Sequence, residues 1–219
     1  MIRVRNLTKN FGRFTAVQDV SIHIRPGEVF AFLGPNGSGK TTTMKTIVGL
    51  NLATHGRVEV AGVDVRTQSN TARKMVSYLP QRVMFPENLR TREVLRFYAR
   101  LRAIPDAKWK ASLERAHFDG FGDKFVGELS GGMIQRLGLA VVAMPDAPVL
   151  ILDEPTANLD PQGVKHFRNF ILEQRAEGKT IVFSTHLLAE VELLADRVGI
   201  FVNGRLPAVE SVSALHESY

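Results

Sequence analysis

Two kinds of apolar pattern alternate along the chain. Val29-Phe30-Ala31-Phe32-Leu33, Met75-Val76-Ser77-Tyr78-Leu79, Val149-Leu150-Ile151-Leu152 and Thr180–Ser184 are short runs with little polar alternation. Runs of this length read as strands buried on both faces of a parallel sheet. Val20, Ile22 and Ile24 instead alternate with Ser21, His23 and Arg25, the pattern of a half-buried strand. Ile2, Val4 and Leu7 predict an edge strand at the start of the chain. Ala61-Gly62 between Arg57–Val60 and Val63, and Asn203-Gly204 between Arg197–Val202 and Arg205-Leu206, predict two hairpins.

Helical spacing fills the intervals. Met44, Ile47 and Val48 mark a helix over Thr41–Leu50, and Val94, Phe97, Tyr98 and Leu101 share one face of Thr91–Leu101. Lys108–Ala116 and Ile134–Ala143 are two further helices, with Gly120, Gly122, Gly127, Gly131 and Gly132 breaking the chain between them. Asp160-Pro161 has the form of an N-cap and first-turn proline, opening a helix to about Ala176. Leu187–Ala195 and a short stretch around Val212–His216 complete the set. Strands alternating with helices predict one α/β domain over 1–219 with a mostly parallel sheet. Residues 1–82 and 144–219 form its core, and the mainly helical residues 83–143 are an insertion.

The strand–loop–helix at residues 29–50 frames Gly34-Pro35-Asn36-Gly37-Ser38-Gly39-Lys40-Thr41, the spacing of a phosphate-binding P-loop. Glycines let successive backbone N–H groups turn inward on a phosphate, and the helix start adds its positive end. Lys40 supplies a full charge to the β- and γ-phosphates, and Thr41 a hydroxyl to Mg²⁺. The Val149–Leu152 strand ends in Asp153 and Glu154. A carboxylate at a strand end near a P-loop is placed to hold Mg²⁺, the role of Asp153, and Glu154 can polarise a water for attack on the γ-phosphate. Leu129-Ser130-Gly131-Gly132-Met133 precedes a helix, and reads either as a second anion-binding corner or as a loop with a serine N-cap.

Bulk properties narrow the class. Apolar content of 44% and charged content of 23% are ordinary for a soluble globular chain. No apolar run approaches the roughly 20 residues that cross a bilayer, and Met1-Ile2-Arg3-Val4 does not begin a secretory signal. With no cysteine, disulfides and thiolate metal sites are excluded. The expected location is the cytoplasm.

Taken in order, these residues resemble the nucleotide-binding domain of ATP-binding-cassette (ABC) transporters over essentially the whole chain. Gly34–Thr41, with Thr42 following, matches the Walker A motif and Gln81 the Q-loop glutamine. Leu129–Met133 resembles the LSGGQ signature, with Met133 in place of glutamine. Val149–Glu154 matches Walker B, Asn158-Leu159-Asp160 the D-loop and His186 the switch histidine. Phe11 falls where the family has a base-stacking aromatic, most often tyrosine; its ring face still stacks, at roughly 0.5–1.5 kcal/mol. The resemblance implies a P-loop NTPase (RecA-like) core with an antiparallel β-subdomain and the α-helical insertion. It implies ATP and Mg²⁺ as ligands, and a head-to-tail dimer with two ATP molecules between subunits. Phe11, Gly34, Asn36, Gly37, Ser38, Gly39, Lys40, Thr41 and Thr42 would hold one nucleotide. Ser130, Gly131, Gly132 and Asp160 would contact it from the opposite subunit. Gln81 would reach Mg²⁺ and water, and His186 the γ-phosphate, beside the base Glu154.

Several ATPase classes share such a domain. The chain has no Asn-Lys-x-Asp guanine-reading motif, one cassette rather than two, and no sustained heptads between Gln81 and Leu129. These features favour a subunit that powers a membrane permease carried on a separate chain, from the inner face of the cell membrane, beside a second identical or different ABC subunit. The alternative is a soluble ABC ATPase acting on nucleic acid or ribosomes; nucleic acid is not expected as a partner, despite a net charge of +6. Gly132-Met133 and the short span from Lys40 to Gln81 are similar to ABC-2 exporters, and the chain ends too soon after His186 for an appended regulatory domain. Arg92, Arg96 and Arg100 line the polar face of Thr91–Leu101, with Arg82, Arg90 and Arg102 near. They are either a solvated helix face or a basic surface for the membrane partner or anionic lipid.

Overall fold

A computed structural model describes the protein over residues 1–115, 121–157 and 159–217, with side chains over 1–112, 121–157 and 159–214. Ala116 and Gly120, from the predicted second insertion helix and its glycine-broken exit, lie outside the described residues, as does Asn158.

The strands are β1 (Ile2–Phe11), β2 (Phe14–Ile24), β3 (Val29–Leu33), β4 (His55–Val60), β5 (Val63–Asp64), β6 (Val76–Leu79), β7 (Val149–Leu152), β8 (Thr180–Thr185), β9 (Arg197–Val202) and β10 (Arg205–Ser211). The helices are α1 (Lys40–Ile47), α2 (Ser69–Lys74), α3 (Thr91–Leu101), α4 (Asp106–Arg115), α5 (Gly131–Ala143), α6 (Pro161–Ala176), α7 (Leu188–Leu194) and α8 (Val212–Glu217).

The continuous apolar runs make a six-stranded sheet in the order β10-β9-β3-β8-β7-β6, parallel except for β10. Every residue of β7 and β8 is buried. Period-2 alternation divides each central strand between two cores. Phe30, Phe32, Ile151 and Val182 pack with Met44 and Ile47 of α1 and with the antiparallel sheet. Val29, Ala31, Leu150, Leu152 and Phe183 pack against Leu139 and Val142 of α5, Phe167 and Ile171 of α6, and Val191 of α7. Burial of side chains of this size stabilises by about 1.5–3 kcal/mol each.

The second sheet is antiparallel, in the order β2-β1-β4-β5. It corrects the expectation of an edge strand at the N-terminus, because β1 pairs with both β2 and β4 and is an inner strand. Breaks in the β1–β2 register blur the alternation beyond Leu7, so both strands run further than their patterns predicted. The short helix α2 carries no apolar stripe and was not predicted. A third apolar cluster joins Val94 and Leu95 of α3 to Leu137 and Ala140 of α5. One side of α5 thus packs on the sheet and another on α3.

Asp64 closes the β4–β5 hairpin chemically. Its Oδ1 accepts the Arg66 and Thr67 N–H groups at 2.9 Å, and Arg57 Nε lies 2.7 Å from Oδ2. The Thr67 N–H, ahead of the Arg66 N–H and Arg57, holds this carboxyl below the usual carboxylate range against the opposing effect of burial. A folded pKa below the unfolded value of about 3.9 gives stability that is present above that value and is lost as pH falls through the folded one. Asp64→Ala is therefore expected to cost about 1–3 kcal/mol at pH 7, with the gap from wild type narrowing below about pH 4. Urea unfolding of both chains across pH measures this. Equal midpoints at pH 7 would remove the role.

Candidate functional site

Parallel register brings the chemistry together. Leu33 pairs with Thr185, Phe183 with Leu152, and Leu152 with Leu79. The residues just past these ends are Gly34, His186, Asp153 and, two beyond Leu79, Gln81. They share the carboxyl edge of the sheet, where open α/β sheets bind ligands.

The P-loop turns through left-handed backbone at Gly37 (φ 78°) and Gly39 (φ 106°), which is the N-cap of α1. Gly34 answers to space: a Cβ there would lie 2.4 Å from the Phe201 carbonyl oxygen. The loop is braced from both sheets. Gly204 N–H donates to the Ser38 carbonyl at 2.9 Å, and Gln18 N–H of β2 donates to the Gly204 carbonyl at 2.8 Å. Asn36 and Gly37 face solvent, and Thr42 is half-buried.

Lys40, 4% exposed, donates to the Gly34 carbonyl at 2.6 Å and the Pro35 carbonyl at 3.1 Å. Its Nζ lies 3.2 Å from Glu154 Oε1, an ion pair outside hydrogen-bond alignment. Glu154 is 5% exposed and left-handed at φ 47°, and its Oε2 lies 3.0 Å from His186 Nδ1. One buried carboxylate thus stands between the P-loop cation and the His186 imidazole.

Asp153 is enclosed by hydroxyls. Oδ1 accepts Thr41 Oγ1 at 2.9 Å and Ser184 Oγ at 2.8 Å, while Tyr78 OH donates to Oδ2 at 3.3 Å. Burial, then the Asp153 charge, raises the Tyr78 phenol well above its ordinary pKa, so it stays a donor. Ser184 Oγ also accepts the Glu154 N–H at 2.8 Å. Behind His186, Thr185 Oγ1 donates to the buried Glu190 at 2.7 Å and accepts the Leu187 N–H at 3.0 Å.

Sequence reasoning assigned no role to Tyr78, Ser184, Thr185 or Glu190. The signal for Ser184 was register: it follows Phe183 in β8 as Asp153 follows Leu152, the partner of Phe183 in β7. Gln135 was also passed over. Its buried amide donates to the Pro155 carbonyl at 2.8 Å, tying α5 to the loop after Glu154.

The remaining predicted residues stand apart from this cluster among the described contacts. Ser130 is the N-cap of α5 and accepts the Met133 N–H at 3.3 Å; Gly131 is exposed, and a Cβ on Gly132 would lie 3.7 Å from Leu159. Asp160 caps α6, accepting the Gly163 N–H at 2.7 Å. Phe11 sits at the β1–β2 hairpin tip opposite Phe14, 48% exposed, with Lys9 Nζ 4.9 Å from its ring centre. Gln81 is exposed.

The family model described as ABC transporter matches residues 17–157. A second model, for an AAA domain, matches the partly overlapping residues 126–192. The Nod factor export ATP-binding protein I of Burkholderia lata is 38% identical over 221 residues, covering 99% of this chain and 73% of that protein. The bacitracin transport ATP-binding protein BcrA of Enterococcus faecalis is 35% identical over 219 residues, covering 99% and 71%. Among solved structures, an ATP binding subunit of an ABC transporter superimposes with a TM-score of 0.90 at 28% identity, covering 100% of this chain and 92% of that one. The cbiO1 subunit of Clostridium perfringens gives 0.86 at 27% identity, covering 99% and 90%. With this family match laid over the Lys40, Asp153 and Glu154 geometry, the chain belongs to the ABC transporter family, as an ATP-binding and ATP-hydrolysing subunit.

Proposed function

We propose that the chain hydrolyses Mg²⁺-ATP within a head-to-tail dimer, homomeric or heteromeric, and so drives an exporter whose membrane permease is a separate chain. The observation that carries this reading is the convergence of Lys40, Asp153, Glu154 and His186 at one sheet edge. The relatives reported above are named for Nod factor export and bacitracin transport, which supports export. None of them is named for nucleic acid or ribosomes.

In this reading the N–H groups of Gly37, Ser38 and Gly39, that of Ser38 released from the Pro35 carbonyl it meets at 3.3 Å, and the Lys40 ammonium take the phosphates. The γ-phosphate replaces the Gly34 and Pro35 carbonyls and Glu154 around Lys40. Glu154 is then free to take the proton of the attacking water, with His186 beside it at the γ-phosphate. Ser130, Gly131, Gly132 and Asp160 of the second subunit contact the same nucleotide, and Phe11 stacks on its base.

The donor set fits Mg²⁺. Thr41 and Asp153 offer hard oxygens, and no cluster of three or more acidic, histidine or cysteine side chains exists among the described residues. Such a site suits a cation bound by few side chains together with phosphate and water. Thr41 and Asp153, with Gln81, would hold it, and when bound it neutralises phosphate charge. In this reading the core is residues 1–82 with 144–219, and the helical unit 83–143 carries the signature residues.

No helix among the described residues is long and apolar enough to cross a membrane. We place the chain in the cytoplasm, against the inner face of the cell membrane. A tagged chain expressed in its native host and extracted in mild detergent is expected to co-purify with a polytopic membrane protein in fixed ratio. Recovery only with ribosomes or nucleic acid would overturn the transporter assignment.

A further inference from the structure

Ser184, the penultimate residue of β8, is fully buried. Its hydroxyl donates to Asp153 Oδ1 and accepts the Glu154 N–H, each at 2.8 Å. It has no other hydrogen-bond partner among the described residues. A backbone N–H can only donate, so the one hydroxyl proton is committed to the carboxylate. Donation to Asp153 fixes the hydroxyl rotor, and with it the lone pair that meets Glu154. One buried oxygen thus joins the two acids that follow β7. Strand period turns the next residue away: Thr185 bonds Glu190 and the Leu187 N–H at the start of α7.

Glu154 has need of such an anchor. Its backbone is left-handed at φ 47°, a conformation that a residue with a side chain keeps only where its surroundings impose it. Its carboxylate is held less firmly than its peptide. Oε1 has no hydrogen-bond partner and lies near Lys40 Nζ out of alignment, while Oε2 meets the half-exposed His186 ring. In the reading above, the γ-phosphate takes Lys40 away from Glu154. The bond from the Glu154 N–H to Ser184 is not given up in that exchange. With the Ala157 N–H, which donates to the Glu154 carbonyl at 3.1 Å, it is what still fixes the turn.

We infer that Ser184 is a positioning residue for hydrolysis: its hydroxyl holds the left-handed turn at Glu154 and so aims the carboxylate at the attacking water. The inference rests on Glu154 as the base and names what sets its direction. Without the hydroxyl, the Glu154 N–H is an unpaired donor in a buried place. The peptide then relaxes by rotating, and the carboxylate moves with it. Ser184 acts through Glu154 and not on the nucleotide.

The test compares the full chain with Ser184→Ala, Glu154→Gln and the two combined. Phosphate release at saturating ATP gives turnover, and titration calorimetry gives ATP affinity. Ser184→Ala is expected to lower turnover about 10–10²-fold, the scale of a misplaced catalytic group, with ATP affinity within about threefold of wild type. The double variant is expected to turn over as slowly as Glu154→Gln and no slower, because a base that is absent cannot be misdirected. Losses that multiply would put the effect at Asp153 or in the fold at large and overturn the inference. Wild-type turnover in Ser184→Ala, with Glu154→Gln impaired, also overturns it and leaves Glu154 standing as the base. A loss of ATP affinity that matches the loss of turnover makes Ser184 a structural residue and overturns it too. Undiminished turnover in Glu154→Gln overturns the assignment of the base, and the inference with it.

Discussion

Lys40→Ala is expected to lower ATP affinity by about 10²-fold, since hydrogen bonds to a charged group contribute about 1.5–3 kcal/mol. Isothermal titration with ATP measures it. The substitution also strips Glu154 of a counter-charge in a place where both side chains are almost fully buried. Breaking a buried ion pair costs about 3–5 kcal/mol, so part of any loss in binding could come from a destabilised fold. Lys40→Ala combined with Glu154→Gln separates the two effects. It removes the uncompensated charge and is expected to recover most of the urea-unfolding midpoint, while ATP affinity stays low. Affinity within about threefold of wild type in either variant would show that the phosphates are held elsewhere.

Glu154→Gln alone is expected to reduce ATP turnover by about 10²–10⁴ while leaving ATP binding intact. The amide matches the carboxylate in size and keeps an oxygen toward Lys40, so the site's shape is preserved while its base is lost. The left-handed backbone of Glu154 is retained, anchored by its N–H to Ser184. Phosphate release at saturating ATP, paired with titration calorimetry, gives the two readouts. Undiminished release would remove Glu154 as the base and shift attention to His186, 3.0 Å from it.

Much of the site was legible because its residues sit in local patterns. A P-loop is a contiguous string in a strand–turn–helix frame, and Asp153-Glu154 ends an unbroken apolar run. The Asp160-Pro161 start of α6 was equally readable, because an N-cap and its proline act within one turn. The place of β1 between β2 and β4 was not readable. Strand neighbours depend on hydrogen bonds to segments tens of residues away, and the pattern of Ile2, Val4 and Leu7 is the same at an edge or inside.

The sequence by itself determined which residues could meet a phosphate, which strands are buried and where most of the helices lie. These follow from side-chain period and backbone chemistry over a few neighbouring residues. Only the tertiary structure decided what surrounds those groups. Asp153 collects hydroxyls from Thr41, Tyr78 and Ser184, on three other elements, and Glu154 is set between Lys40 and His186. Ser77 of β6 likewise comes to line one small pocket with Tyr98 and Arg102 only in the folded chain. Parallel register and helix packing bring distant segments to within a few ångströms of one another, and short-range pattern carries no record of those distances.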